Sequence, residues 1–361
     1  MKLELRSLRV QDCGPLRDVC IDFCDAQGKP RPVTVLAGAN GSGKTTILEL
    51  IASLAELLLP QYMFLIAPMH WNTREGVPSF LHRVRDARLD LLVDEQEFTL
   101  YYGEKPSDRI PWQQQYGRSA PVLVPPQQNG QKSPQQASDD GVDLQIEQGR
   151  IFGHQTVAGK LMLAIFEKLN ASVNLQPDSI SLPSILYFPH LRFLEPVVGD
   201  QVVREDTRYE WVYRFKSQSA FAGSLGSYLI WLDYAEPEVF RTVIEFLNDL
   251  DFDGKTFGVI RKELKAVVTT RDGRTHDIAD LSSGEQNILI MLLELRRRLL
   301  PHSIVLIDEI ENSLHPAFQY RLAQSLKRMQ EKTPFQLIVT THAPAIVEVF
   351  GADSTLILTE F

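Results

Sequence analysis

Residues Val33 to Ile51 read "VTVLAGANGSGKTTILELI". The run Val33 to Ala37 is largely apolar and β-branched, which predicts a buried strand. Beyond it, Ile47, Leu48, Ile51, Leu54 and Leu58 fall at helical spacing, and Pro60 ends the pattern. The strand and the helix are joined by "GANGSGKT", Gly38 to Thr45, which matches G-x-x-x-x-G-K-[ST] in the setting that motif requires. Glycines there let backbone N–H groups curl around phosphate oxygens, and the following helix adds its positive N-terminal end. Gly38, Ala39, Asn40, Gly41, Ser42, Gly43, Lys44, Thr45 and Thr46 are therefore candidate nucleotide-binding residues. Lys44 would reach the β- and γ-phosphates, and the Thr45 hydroxyl would hold Mg²⁺.

Far downstream, "IVLIDE", Ile304 to Glu309, is an apolar strand that delivers two acids at its end. Open parallel sheets bind ligands at the carboxyl ends of their strands. Asp308 is the expected Mg²⁺ partner of Thr45, directly or through water, and Glu309 the expected general base for an attacking water. A single acid here could be a helix cap, but two adjacent acids closing an apolar strand read as a site. His342, in "VTTHAP" after the next strand, completes an ordered series with a contact to the γ-phosphate or the water.

"LSSGEQ", Leu281 to Gln286, precedes the acid strand, and "ENSLHP", Glu311 to Pro316, follows it. Together with the phosphate loop these resemble the ATP-binding-cassette type of ATPase. "LSSGEQ" is similar to its signature motif and "ENSLHP" to its D-loop. The resemblance implies that Ser282, Ser283, Gly284 and Glu285, at a helix start, bind the γ-phosphate of nucleotide held by a second copy. ATP and Mg²⁺ are then the cofactors, and a homodimer with two sandwiched nucleotides is the working form, higher assembly being left open. The wording is similar to soluble SMC-, RecF- and OLD-like ATPases. "LRSLRVQDCGPLRDVCIDF" resembles their first hairpin, although Cys13, Gly14 and Leu16 replace the usual Phe, Arg and Phe, so its arginine is not carried over. "LYFPHLRFLEP", Leu186 to Pro196, looks like the strand-and-arginine segment of ATPases in anti-phage systems such as Septu. The Q-loop glutamine that ligands Mg²⁺ in the family is not placed in the divergent middle.

The expected fold is α/β: a P-loop NTPase of ABC-ATPase type, a mostly parallel sheet flanked by helices, with an N-terminal antiparallel β portion and an inserted lobe. Residues 1–60 and 278–361 form the two parts of the ATPase core. Residues 61–277 form the lobe, within which 124–141, rich in Gln, Pro, Ser and Gly, is expected to be a mobile loop. Strands are expected at Met1 to Val10, Val19 to Phe23 and Glu97 to Gly103, and a buried one within Ser184 to Leu194. Helices are expected at Val157 to Leu169, Pro237 to Asp249, Glu285 to Leu299, Pro316 to Gln330 and Pro344 to Phe350. No heptad run predicts coiled-coil arms.

Composition sets bounds on function. At 44% hydrophobic and 23% charged, the 361 residues suit a soluble chain with a sizeable core. No apolar run nears the ~20 residues that cross a bilayer. The N-terminus reads as a strand rather than a signal peptide, and with three cysteines the expected location is the cytoplasm. A net charge of −9 gives no general attraction to nucleic acid, so DNA contact would need a local basic surface. "RRR", Arg296 to Arg298, reads either as a solvated helix end complementing the dipole or as such a surface. The sequence ends just after the last core strand, so the Toprim nuclease of OLD-like proteins is expected to be absent and a nuclease or toxin effector to be a separate chain. The favoured reading is an ATPase that regulates such an effector in anti-phage defence or DNA repair. The alternatives are the ATPase subunit of a membrane transporter and a slow-hydrolysing sensor or scaffold for a toxin. A P-loop kinase would leave "LSSGEQ" unused.

Overall fold

The computed structural model describes residues 1–59, 78–103, 114–116, 144–147, 150–153, 182–192, 209–216, 225–249 and 254–358, with single positions between 161 and 169 and at 252. The loop expected at 124–141 lies outside the described residues, as does most of the helix expected at Val157 to Leu169.

In chain order the elements are β1 (Leu3–Cys13), β2 (Leu16–Asp22), β3 (Val33–Gly38), α1 (Lys44–Glu56), β4 (Asp86–Val93) and β5 (Gln96–Gly103). The short strands β6 (Gln114–Tyr116), β7 (Leu144–Glu147), β8 (Arg150–Gly153), β9 (Ile185–Phe188) and β10 (Val212–Arg214) follow. Then come α2 (Leu225–Ala235), α3 (Pro237–Asp249) and the hairpin strands β11 (Thr256–Ile260), β12 (Lys265–Thr269) and β13 (Thr275–Asp277). The chain continues through α4 (Ser283–Arg298), β14 (Ile304–Ile307), α5 (Pro316–Lys332), β15 (Gln336–Thr341), α6 (Pro344–Phe350) and β16 (Thr355–Leu358).

Six strands form a sheet in the order β10-β9-β14-β15-β3-β16, and every neighbouring pair is parallel. Strand side chains alternate between faces, and both faces of this sheet are covered. Leu36, Leu306, Ile338 and Tyr187 face one core, shared with α1 and the inner face of β1, β2 and β4. Val35, Val305, Ile307, Val339 and Phe188 face a second core, shared with α2, α4, α5 and α6. Two covered faces explain why these strands read as unbroken apolar runs. The other large sheet, β6-β2-β1-β4-β5-β7-β8, is antiparallel through its central strands. This is the α/β architecture with an antiparallel β portion read from the sequence.

The 61–277 partition does not follow the sheets. Strands β9 and β10 complete the parallel sheet, and β4 and β5 complete the antiparallel one, although all four fall in the stretch assigned to an inserted lobe. Parallel neighbours are joined by long crossovers, so adjacency in the sheet is not adjacency in sequence.

Gln336 joins the two sheets. Its Oε1 accepts from the Leu5 N–H at 2.7 Å, and its Nε2 donates to the Leu5 and Arg31 carbonyls, each at 3.1 Å. It thereby acts as one rung of a ladder where β1 has no strand partner on that side. A buried polar group left unpaired costs about 1–3 kcal/mol, so Gln336→Ala is expected to lower the unfolding free energy by about 2–4 kcal/mol in urea titration at unchanged slope.

The arginine run is not a solvated helix end. Arg297 and Arg298 fold back onto buried Glu294, at 2.9 and 2.8 Å, and lie over the rings of Tyr228 and Tyr213. Arg296 alone of the three is exposed. The cause is Glu294, which the helical pattern hides: it faces inward at i−3 and i−4 and draws both cations over the core. All three cysteines are free and buried, and burial pushes the Cys13 and Cys24 thiols up to about 11.

Candidate functional site

Because the six strands are parallel, the carboxyl ends of β3, β14, β15 and β9 share one edge. Each delivers residues there: the phosphate loop after β3, Asp308 and Glu309 after β14, His342 after β15 and His190 after β9. The loop turns at Gly41 (φ 83°) and Gly43 (φ 85°), where a β-carbon would be strained. Gly43 also lies under β2, where an added Cβ would stand 2.4 Å from Leu16 Cδ2. The loop then feeds the N-terminus of the 13-residue α1. Lys44 is buried, and its ammonium donates to the carbonyls of Gly38 (3.0 Å) and Ala39 (2.7 Å). Burial lowers the Lys44 pKa, while the carboxylates of Glu309, Asp308 and Glu311 act against that lowering.

Asp308 is fully buried. Its Oδ2 accepts from the Thr45 hydroxyl at 2.8 Å, and its Oδ1 from the Thr340 hydroxyl at 2.6 Å. Residues from the two ends of the chain thus meet at one carboxylate. Thr340 is a pivot, since its oxygen also accepts from the Glu309 N–H at 2.7 Å. Glu309 holds φ 43°, a left-handed conformation that a non-glycine residue adopts only when its surroundings impose it. Glu309 is half-buried at this turn. Glu311 orders the next strand end, accepting from the Thr341 hydroxyl at 2.8 Å and from the backbone N–H of exposed His342.

Sequence reasoning missed His190 and Thr340. The His190 ring stands with Nδ1 3.5 Å from Asp308 Oδ2 and is 44% exposed, on the strand beside the acid strand. The available signal is "PHLR", Pro189 to Arg192, directly after a buried strand, where a histidine precedes the arginine of that segment. Thr340 was hidden inside an apolar strand.

Ser282 caps α4. Its hydroxyl donates to Glu285 Oε2 at 2.8 Å, and the Glu285 carboxylate also accepts from the Ser282 N–H and pairs with Lys255. This is a reciprocal capping box. The buried Glu285 side chain is therefore occupied by the cap and by Lys255. Ser282 and Ser283 are exposed at the start of a 16-residue helix. Gly284 is buried against the D-loop, where an added Cβ would stand 2.5 Å from the Ser313 carbonyl oxygen. The serine turn and the D-loop are thus packed backbone to backbone.

These residues fit a nucleotide and Mg²⁺. The left-handed glycines, the α1 N-terminus and Lys44 make a cradle for polyphosphate. The Ser42 hydroxyl is buried in that loop without a hydrogen-bond partner among the described residues. Thr45 and Asp308 offer one hydroxyl and one carboxylate, hard oxygens of the kind Mg²⁺ takes together with substrate phosphates. Among the described residues no group of three or more His, Cys, Asp or Glu could hold a metal on its own.

Two family models match the chain. Residues 230–348 match "AAA domain, putative AbiEii toxin, Type IV TA system", and residues 7–54 match "AAA domain". Among curated proteins, the chain is 30% identical over 103 residues to "Retron Ec83 probable ATPase" of Escherichia coli, covering 26% of this chain and 19% of that protein. It is 29% identical over 131 residues to "Retron Vc95 probable ATPase" of Vibrio cholerae, covering 33% of this chain and 24% of that protein. The matches thus span about a fifth to a quarter of the length of those relatives. Among solved structures, "SMC head domain from Thermotoga maritima" aligns over 96% of this chain and 92% of its own, at 15% identity and a TM-score of 0.42. The motifs resemble those of SMC/ABC ATPases, the family matches are to AAA domains over parts of the chain, and the chain is similar over part of its length to proteins described as "Retron … probable ATPase".

Proposed function

We propose that this SMC/ABC-like, AAA-type chain binds ATP with Mg²⁺ at the shared strand edge, hydrolyses it, and closes two copies around each nucleotide. The observation that carries the reading is the 2.8 Å hydrogen bond from Thr45 to Asp308, which joins the phosphate loop to the acid strand across 263 positions of sequence.

Lys44 and the loop N–H groups bind and orient the phosphates. Thr45 and Asp308 would hold the Mg²⁺, which supplies charge neutralisation to the phosphoryl oxygens when bound. Glu309 accepts the proton of the attacking water, and His342 donates a hydrogen bond to the γ-phosphate side. His190 faces the same carboxylate as Thr45 and would stand in for the family's Q-loop glutamine, which the sequence reading leaves unplaced. Ser282 and Ser283, exposed at a helix N-terminus, contact the γ-phosphate held by a second copy. The family description names a toxin system, and two of the relatives carry the description "Retron … probable ATPase". On that support we assign the dimer to control of a separate effector, a nuclease or toxin, in anti-phage defence or DNA repair within the cytoplasm. Among the described residues no helix is long and apolar enough to cross a membrane.

Light scattering with a non-hydrolysable ATP analogue and Mg²⁺ tests the clamp. The mass is expected to double over that with ADP, and Ser283→Arg, at an exposed position just past the cap residue, is expected to prevent the doubling with little change in melting temperature. An unchanged mass in a protein that binds the analogue would overturn the two-copy reading.

A further inference from the structure

Arg192 leaves the segment after β9 and buries its guanidinium behind the acid-bearing turn, at 5% exposure. Its donors go to four oxygens. Nη1 donates to the carbonyls of Pro189 (2.7 Å) and Asp308 (2.5 Å), Nη2 to the carbonyl of Glu309 (2.8 Å), and Nε to Asn287 Oδ1 (2.9 Å). Asn287 is in α4, five positions after Ser282, and its amide donates to the Asn312 carbonyl in the D-loop at 3.1 Å. Asn312 in turn donates to the His190 carbonyl at 2.7 Å. These contacts tie together the serine turn, the D-loop, the acid turn and the segment after β9.

Two physical points set this network apart from ordinary packing. Burying a guanidinium is expensive, and a residue needed only to fill space would be apolar. Burial pulls the Arg192 guanidinium down to about 10, so it remains charged at neutral pH. Second, the strained φ 43° peptide of Glu309 is held from both ends, its N–H by Thr340 and its carbonyl by Arg192. The same guanidinium grips the helix whose start carries Ser282.

We propose that Arg192 is a positioning residue that couples the Ser282 turn to Glu309, so that seating of a second copy's nucleotide on α4 is carried through Asn287 to the peptide that aims the general base. This rests on the two-copy reading above. Arg192 is buried, and its donors go to protein oxygens behind the acid turn. It acts by fixing where Glu309 points, and a shift of 1 Å in a reacting group costs on the order of 100-fold in rate.

The test is a double-mutant cycle, since only a measured coupling energy supports such a link. Arg192→Ala and Asn287→Ala are each expected to lower ATP turnover by about 30- to 100-fold. ATP affinity, read by a fluorescent nucleotide in the absence of turnover, should stay within about threefold of wild type, because uniform binding is untouched. The double variant should turn over no more slowly than Arg192→Ala alone. In a Glu309→Gln background, Arg192→Ala should change residual turnover by less than about twofold, because its effect runs through Glu309. Arg192→Lys should not rescue, since an ammonium cannot span the fork. Additive effects, or Asn287→Ala turnover within about threefold of wild type, would overturn the coupling. Should Arg192→Ala fail to fold, the cycle of Asn287→Ala with Glu309→Gln decides in the same way. Wild-type hydrolysis and analogue-driven doubling of mass are measured alongside. Their absence defeats the proposed function itself, whereas their presence with additive variants defeats only the coupling.

Discussion

Glu309→Gln is expected to lower ATP turnover by about 1,000-fold while leaving ATP affinity nearly unchanged, because a positioned general base contributes about 10²–10⁴. The substitution keeps the size of the side chain and removes its ability to take a proton. The backbone contacts that hold this residue in its left-handed turn come from Thr340 and Arg192 and do not use the carboxylate. The turn therefore persists in the variant. Phosphate binding depends on Lys44 and the loop, which the change does not touch. Single-turnover hydrolysis and nucleotide titration separate the two quantities. Turnover within about tenfold of wild type would show that another group carries the base role. Glu311 is then the nearest alternative by position, although its carboxylate is already given to Thr341 and the His342 N–H.

The legible parts of this chain were those where local pattern and final environment agree. Val33 to Gly38 reads as a buried strand because both its faces are covered, and Pro237 to Asp249 reads as a helix because one face packs and the other is wet. α2 was not legible. "LGSYLIWLDYA" is apolar nearly all round and contains a glycine, so no face stands out until β12 and α3 pack against it. The sheet order was hidden for a different reason. β9 and β14 are neighbours in space and far apart in sequence, and no local signal records that pairing. The same holds for the site. Thr45, Asp308 and Glu309 could be named from motifs, because each ends or begins an element that the sequence marks. Thr340 acts on those residues from within β15 and Arg192 from the segment after β9, and their roles exist only once the strand edge is assembled. Glu285 shows the converse: the signature string offers it as a γ-phosphate contact, yet its side chain is occupied by the cap it forms with Ser282 and by Lys255.

Lys44→Met is expected to weaken ATP binding by about 100-fold or more, the scale on which losing one preorganised donor to a charged oxygen is felt. Unlike most changes at a buried residue, it should leave the fold as stable as wild type or more so. Methionine retains the aliphatic stem that packs in α1 and discards a charge whose burial is incompletely compensated. The ammonium donates to two carbonyls of its own loop, and its pKa is lowered by burial. The sign follows. A lysine with a depressed folded pKa binds its proton less tightly when folded, so the unfolded chain holds more protons between the folded value and the ordinary 10.5. Wild-type stability should therefore rise relative to Lys44→Met as the pH climbs into that alkaline window, and the two should differ most below it. Chemical denaturation of both proteins at neutral and alkaline pH, with nucleotide titration at neutral pH, measures each part. If Lys44→Met lost about 3 kcal/mol of stability at neutral pH, the lysine would be a strap that closes its own loop, on the scale of a broken buried contact. A variant that folds well and has lost its nucleotide places the charge where a polyphosphate needs it.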